Sequence, residues 1–395
     1  MKVLFFHIPS LGQYNAIEPI LMELAKRGHS VIHYNAVDFS RYAINPAISF
    51  TAYKDYQGYH PGLLSSRMSI YDLGLLLVET AEATVSFVES AVLQESPDVI
   101  LHSKFTAAPK IIARKHRVPA VSLTTGFVFH PSAVVNRAGK EASPPSLANV
   151  SSLWRFQKRA KRFYDKYLDG SADVNDIFVN EEMLNLVLGL EQFQPKSDNF
   201  STQHKFIGPT VRVKEYSKTY ELIYASLGSI FVRDAGFFDV CIQALGQVGR
   251  RTIVSLSDHF FPAEFDDVPS NVELVSFVAQ TEILQRAAVF ITHGGGNSVY
   301  EAIYCETPMI VIPQIPDQSV YAREIEALMV GKHIERKDLT VPLLRSAVSG
   351  LLNDDRFRRN VQALKATLPK VPPAVTACDY IEGMKLNAAV VGRNS

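Results

Sequence analysis

A chain of 395 residues with 47% hydrophobic and 20% charged side chains is long enough for two domains of about 150 to 200 residues, each with its own core. Its 40 basic and 40 acidic residues cancel, so no global field points to nucleic acid or to an acidic polymer. Three widely spaced cysteines, Cys241, Cys305 and Cys378, show no metal-ligand pattern and fit a reducing compartment, and no run approaches the ~18 apolar residues of a membrane span.

The N-terminus, MKVLFFHIPS, reads as a first core strand over Val3 to Phe6 rather than a signal peptide, so a cytoplasmic protein is expected. Pro9 to Asn15 reads as a loop at the carboxyl end of that strand, where open α/β sheets place ligands. Ile17 to Arg27 is an amphipathic helix closed by Gly28, and Val31 to Tyr34 returns as a strand, which makes a βαβ unit and predicts a doubly wound domain. The alternation continues through a helix at Leu73 to Leu93, a strand at Asp98 to Leu101, a helix at Ala107 to Lys115 and a strand at Ala120 to Leu123. Phe129 to Leu153 is loop-like. Leu153 to Leu168 is a helix with an apolar stripe and a basic face; such a helix can lie on an anionic membrane or receive an anionic acceptor, although a solvated face is the plainer reading.

A second α/β half begins at the strand Glu221 to Ala225, which leads into Ser226-Leu227-Gly228-Ser229. Helix Phe238 to Leu245 and strands Thr252 to Ser255 and Val272 to Leu274 follow. The strand Ala287 to Thr292 runs into His293-Gly294-Gly295-Gly296 and a helix at Asn297 to Tyr304. Three glycines allow close approach of the backbone, and the helix start offers N–H groups and a positive dipole end, which together predict a phosphate site. Asn297 and Ser298 add polar contacts there, His293 stands at the strand end, and Glu301 one turn into the helix is placed to accept bonds from paired hydroxyls. Asp317 and Gln318 follow the next strand, Met309 to Ile312, and are expected in the same crevice. A phosphate cradle beside polyol-binding side chains suggests a nucleotide sugar. Helices at Leu343 to Leu352, Arg356 to Lys365 and Val375 to Ala389 complete the chain.

The stretch from His293 to Gln318, with Asn297-Ser298, Glu301, Pro308 and Asp317-Gln318, resembles the donor signature of nucleotide-sugar-dependent glycosyltransferases of the GT-B fold, in the macrolide and UDP-glucuronosyltransferase-like family. The resemblance implies two facing Rossmann-like domains: an acceptor-binding domain at 1–205, a linker at 206–218, a donor domain at 219–372, and a helix and tail at 373–395 that return to the first domain. It implies that His293 and the helix start hold the diphosphate, Glu301 the ribose, and Asp317-Gln318 the sugar hydroxyls. Ser229 matches the family's S-L-G-[ST] hydroxyl, and Phe277-Val278-Ala279-Gln280 stands where relatives carry W-x-P-Q, with Phe277 in place of the tryptophan that stacks on the base. Cys305-Glu306-Thr307 departs from the family, which commonly has a glycine before the Thr/Val-Pro.

The family's catalytic dyad is missing. Its base histidine follows a glycine in the first-strand loop, but here Gly12 is followed by Gln13, and the position of the orienting aspartate falls at Ser103. A glutamine amide takes up no proton near pH 7. His102 and His7 are candidate substitutes; alternatively the acceptor is a carboxylate, amine or phenol needing little base help, or the chain binds a donor without transferring it. The expected activity is inverting transfer of a hexose from a UDP- or dTDP-sugar to a small lipophilic acceptor bound by residues before about Leu190. The nucleotide sugar is a co-substrate, and no cofactor or metal is expected. A silent nucleotide-sugar-binding partner, and below it a sugar-nucleotide epimerase, are the rival readings. The oligomeric state is open.

Overall fold

The computed structural model describes the chain apart from residues 44, 54–68, 129–146, 169–172, 195–199, 214–216, 229–234, 257–259, 277 and 392–395. Val3, Leu4, Phe5 and Phe6 of β1 (Lys2–Phe6) are all fully buried, as expected of a parallel strand covered on both faces. It lies inside a parallel sheet with β2 (Ser30–Asn35), β3 (Ser49–Ala52), β4 (Val99–Ser103), β5 (Ala120–Thr124), β6 (Leu184–Val187) and β7 (His204–Phe206), in the order β3-β2-β1-β4-β5-β6-β7. Alternate residues divide the apolar surface between two layers. Leu4, Phe6 and Ile100 face one layer with α2 (Ile70–Glu95), α3 (Ala107–His116) and α4 (Leu147–Tyr167). Val3, Phe5 and Leu101 face the other, with α1 (Leu11–Lys26). This sheet belongs to a unit of residues Met1–Thr210 and Pro369–Ser395, which also holds the short α5 (Asp176–Val179).

The last helix, α12 (Pro373–Val391), belongs to this first unit because its Ala377, Cys378 and Ile381 join the core beside Ile17, Ile20 and Leu24. Arg27 clamps it from the end of α1, giving bonds of 2.7 Å to Asp379 Oδ1 and 2.8 Å to Glu382 Oε2, while His29 Nε2 lies 2.7 Å from Glu382 Oε1.

The second unit, Val211–Leu368, is built on a parallel sheet of β8 (Leu222–Ser226), β9 (Thr252–Ser255), β10 (Val272–Val275), β11 (Ala287–Thr292), β12 (Met309–Val311) and β13 (Gly331–His333), in the order β10-β9-β8-β11-β12-β13. Its helices are α6 (Ala235–Gly246), α7 (Gln280–Leu284), α8 (Gly296–Tyr304), α9 (Pro316–Ala327), α10 (Val341–Asn353) and α11 (Asp355–Ala366). Both sheets change strand direction of travel at the first strand of the unit, β1 in one and β8 in the other, so each has its topological switch beside that strand.

Three expectations are corrected. Pro9 to Asn15 is not a loop throughout, because α1 begins at Leu11 and Tyr14 N bonds Ser10 O at 3.0 Å. Its polar residues disguise a first turn whose Tyr14 is buried in register with Ile17, Leu21 and Leu24, and the helix continues through Pro19 at the loss of one backbone bond. Of the segment Phe129 to Leu153, residues 129–146 lie outside the described residues, and the rest is already helix α4 from Leu147. Finally, the apolar stripe of Leu153 to Leu168 is not available to a membrane: Phe156, Ala160, Phe163 and Tyr164 are buried in the core shared with α2. The sequence reading also passed over β3, β6 and β7, which are only three or four residues long.

Candidate active site

At the end of β11 the chain turns through His293, Gly294 and Gly295 into α8. Gly294 has φ +84, and its N–H bonds Thr292 Oγ1 at 3.2 Å. A Cβ on Gly294 would lie 2.5 Å from Val311 Cγ1, and one on Gly296 would lie 2.6 Å from Tyr321 Oη. The His293 ring is held between two more glycines: a Cβ on Gly295 would sit 2.5 Å from Nε2, and one on Gly228, at φ +75, would sit 2.6 Å from Cε1. Loops after β8 and β11 thus meet around one imidazole. Burial lowers the His293 pKa to about 4, so near pH 7 the ring is neutral and serves as a hydrogen-bonding group. The positive end at this turn is the helix itself. Val299 N makes the first bond of α8, to Gly295 O at 3.0 Å, and Gly295 supplies no side-chain cap for the amides that open the helix.

One turn further, Glu301 is tied into a polar chain. Gln280 Nε2 donates to Glu301 Oε2 at 2.6 Å and to Ser298 Oγ at 3.1 Å, while Tyr224 Oη donates to Gln280 Oε1 at 3.3 Å. Burial raises the Glu301 carboxyl and the bond from Gln280 works against that shift. Asn297 is in the first turn of α8, and Val278 is half-buried just before α7. Gln318 is buried, and its Oε1 accepts from Gln314 N at 2.7 Å and Ile315 N at 3.3 Å, so it caps the loop leading into α9; Asp317 is the second residue of that helix. Ser229 and Phe277 lie outside the described residues. Glu306, standing where the family has a glycine, adopts the left-handed region at φ +55, and its carboxylate binds Lys365 Nζ at 2.7 Å and Gln362 Nε2 at 3.0 Å.

In the first unit the candidate bases do not come together. The ring of His7, 1% exposed, stacks with Phe5, Tyr14 and His33 and meets Phe39 edge-on. Asn35 Oδ1 accepts from Ala36 N, so its Nδ2 donates the 2.7 Å bond to His7 Nε2, which also lies 2.9 Å from His33 Nε2. The lone pair of that nitrogen is used inside the protein. Burial holds the His7 pKa well below its usual value, with the His33 ring adding to the effect. His102 points to the opposite face of the sheet, the side of Ile100 and Phe6. It is fully buried, with Nε2 3.2 Å from Glu182 Oε1 and Nδ1 3.1 Å from Ser103 O, so both nitrogens face acceptors. Ser103 is buried at the end of β4, its Oγ 3.5 Å from Thr106 Oγ1. The Oε1 of Gln13, in the first turn of α1, is buried with no hydrogen-bond partner, as is Nδ1 of His7.

The model of the family "UDP-glucoronosyl and UDP-glucosyl transferase" matches residues 213–374, which contain the turn, α8 and the Gln280–Glu301 chain. The chain is 25% identical over 391 residues to the uncharacterized UDP-glucosyltransferase YojK of Bacillus subtilis, covering 96% of each protein. It is 26% identical to the oleandomycin glycosyltransferase of Streptomyces antibioticus, covering 96% of this chain and 90% of that one. Among solved structures, the glycotransferase of kitacinnamycin superposes with a TM-score of 0.83 at 21% identity, covering 96% of this chain and 98% of that one. The calicheamicin glycosyltransferase CalG4 gives 0.79 at 22%, covering 97% of each, and the shared fold is GT-B. This chain is a glycosyltransferase whose second unit matches that family's model.

The glycosyltransferase uses a nucleotide sugar as its donor, in keeping with the family. Sequence reasoning singled out most of the donor signature but missed three partners. Gly228 was read only as part of a polar turn, although glycine next to Ser226 after a strand is the signal for a close approach. Tyr224 and the bridging role of Gln280 left no signal, because a bond between residues 56 positions apart has no period or motif.

Proposed function

We propose that the glycosyltransferase moves a hexose with inversion from a UDP- or dTDP-sugar to a small lipophilic acceptor whose nucleophile needs little help from a base. The observation that carries the donor half is the arrangement of glycine turn, His293, α8 and the Gln280-bridged Glu301 in one crevice of the second unit. In this reading the amides opening α8 and the neutral His293 hold the diphosphate, Glu301 takes the ribose hydroxyls, and Asp317 takes sugar hydroxyls. Gln318 is assigned to shaping the loop before α9 as well as to the sugar, since its Oε1 already caps that loop. The acceptor atom attacks C1 from the face opposite the leaving group, a C1–O or C1–N bond forms as the C1–O bond to the diphosphate breaks, the nucleotide diphosphate leaves with the electron pair, and the proton of a phenol or amine passes to water. Charge developing on it is met by the helix end.

The acceptor half rests on what the two histidines are doing. Both nitrogens of His102 face protein acceptors, and His7 has Nε2 engaged, Nδ1 buried without a hydrogen-bond partner and a pKa held low by burial, so neither is assigned the role of the lost dyad. A carboxylate acceptor carries no proton to remove, and a phenol or amine gives its proton up more readily than an alcohol. The unpartnered Gln13 Oε1 suits an acceptor that presents an O–H or N–H to it. The names of relatives such as oleandomycin glycosyltransferase and demethyllactenocin mycarosyltransferase support the small-molecule class.

The test is calorimetric titration with UDP, dTDP and their glucose conjugates, then mass spectrometry with phenol, alcohol, amine and carboxylate acceptors. Nucleotide binding and a product of added hexose mass with the phenol, amine or carboxylate are expected. Glu301→Ala should weaken donor affinity by about 10- to 100-fold, the worth of hydrogen bonds to a charged group. Transfer to alcohols alone would refute the acceptor reading, and undiminished affinity in Glu301→Ala would remove the donor assignment.

A further inference from the structure

The apolar stripe of α4 is spent on the core, which leaves its opposite face to be accounted for. That face carries Arg155, Lys158, Lys161, Arg162 and Lys166, all exposed, together with Trp154, which is 61% exposed. At 100° per residue these positions fall on one half of the helix, with Lys158 near its middle and Trp154 toward one edge. Lys158 Nζ sits over the Trp154 ring, 4.8 Å from its centroid. Asp72 of α2 lies close enough to Arg155 for that charge to help hold its carboxyl down against the effect of burial, and the other nearby acids are occupied. Asp165, the one acid on it, pairs with Lys161 at 3.0 Å, and Glu79 and Glu82 of α2 both bind Arg159 at the border of the buried side. Among the described residues Lys158, Arg162 and Lys166 enter no ion pair, in a chain whose charges otherwise cancel.

We propose that this face of α4 docks the protein peripherally on an anionic lipid surface, with Lys158, Arg162 and Lys166 against the headgroups and Trp154 at the level of the headgroup–acyl boundary. Charge complementarity selects the occupant. A row of exposed cations gains from the potential of a surface of phosphate headgroups, and an exposed indole between long basic side chains matches the interface, where one end of the ring is wet and the other apolar. Docking of this kind is weak and reversible, because it uses surface charge and one aromatic ring rather than an inserted helix. It is independent of the acceptor and donor assignments, since no residue of α4 belongs to either.

Trp154 is the only tryptophan in the chain, so its fluorescence reports this face directly. The purified full chain is mixed with vesicles of phosphatidylcholine alone, or with roughly one-third phosphatidylglycerol, and followed by co-sedimentation and emission wavelength. About tenfold more protein should sediment with the anionic vesicles, with a blue shift of Trp154, and both effects should vanish at about 0.5 M salt. The variant Lys158→Glu/Arg162→Glu/Lys166→Glu should lose the preference while keeping its thermal melt and its rate of transfer to a water-soluble acceptor; Trp154→Ala should sediment less. Equal sedimentation with both vesicle types, or retained preference in the charge-reversed variant with its fold intact, overturns the proposal. So does capture of the wild type by poly-glutamate with no binding to anionic vesicles, which would assign the face to an acidic protein.

Discussion

β1 and β11 each deliver a histidine and then a helix, but the two turns are built for different ends. After β11, three glycines, joined by Gly228 from the loop after β8, leave out Cβ atoms that would crowd His293 or the start of α8, and the helix opens without a side-chain cap. After β1, His7 is closed in by Phe5, Tyr14, His33 and Phe39, and its Nε2 is engaged by Asn35. Burial depresses both imidazoles. The lesson is that a lowered histidine pKa does not mark a reactive group: at one turn it accompanies a glycine-lined helix start, at the other an aromatic core. What separates them is the small residues that leave space around the ring.

The sharpest way to break this contrast is at the open turn. His293→Ala should cut turnover by about 10² to 10³-fold, the usual cost of one lost hydrogen bond to developing charge, with the fold retained. A diphosphate beside the ring should also raise the His293 pKa from about 4 toward its usual value, because a nearby anion favours the charged form. Titration of the ring by NMR with and without UDP checks this, and an unmoved pKa would separate His293 from the phosphates.

A smaller effect is expected at the start of α1. Gln13→Ala should lower turnover by less than ten-fold, whereas loss of a true general base costs about 10² to 10⁴. A collapse of that larger size with substrate affinity intact would make Gln13 central and the comparison of the two turns incomplete.

The smallest effect concerns stability alone. His33, beside His7, has its pKa lowered to about 3 by burial. The unfolded chain therefore binds a proton that the folded state does not between about pH 6.5 and 3, so this contribution is fully present above 6.5 and is lost as the pH falls toward 3. The melting temperature should decline on acidification through that window, and His33→Phe should make the decline shallower. An unchanged slope would show that the pair does not titrate on unfolding.

Most of the second unit was legible in the sequence. Ala287 to Thr292 and Thr252 to Ser255 were bounded as the structure has them, since buried parallel strands are continuous apolar runs and glycine turns punctuate them. The donor signature was legible because its residues lie within 26 positions, on one strand, one turn and two helix starts. The first unit was harder. Gln13 looked like a loop residue until Tyr14 was seen buried beneath it, and the stripe of α4 read as a surface until α2 covered it.

The sequence by itself determined the alternation of strands and helices, the two α/β halves, the glycine turn before α8 and the absence of Gly-His at Gly12-Gln13. It did so because periodicity, glycine turns and helix starts are local and written in consecutive residues. Only the tertiary structure decided which histidine nitrogens are already engaged, that Gly228 closes on His293, that Gln280 joins Tyr224 to Glu301, and which face of α4 meets solvent. Those are contacts between residues tens of positions apart, formed when separate elements pack, and no local pattern encodes them.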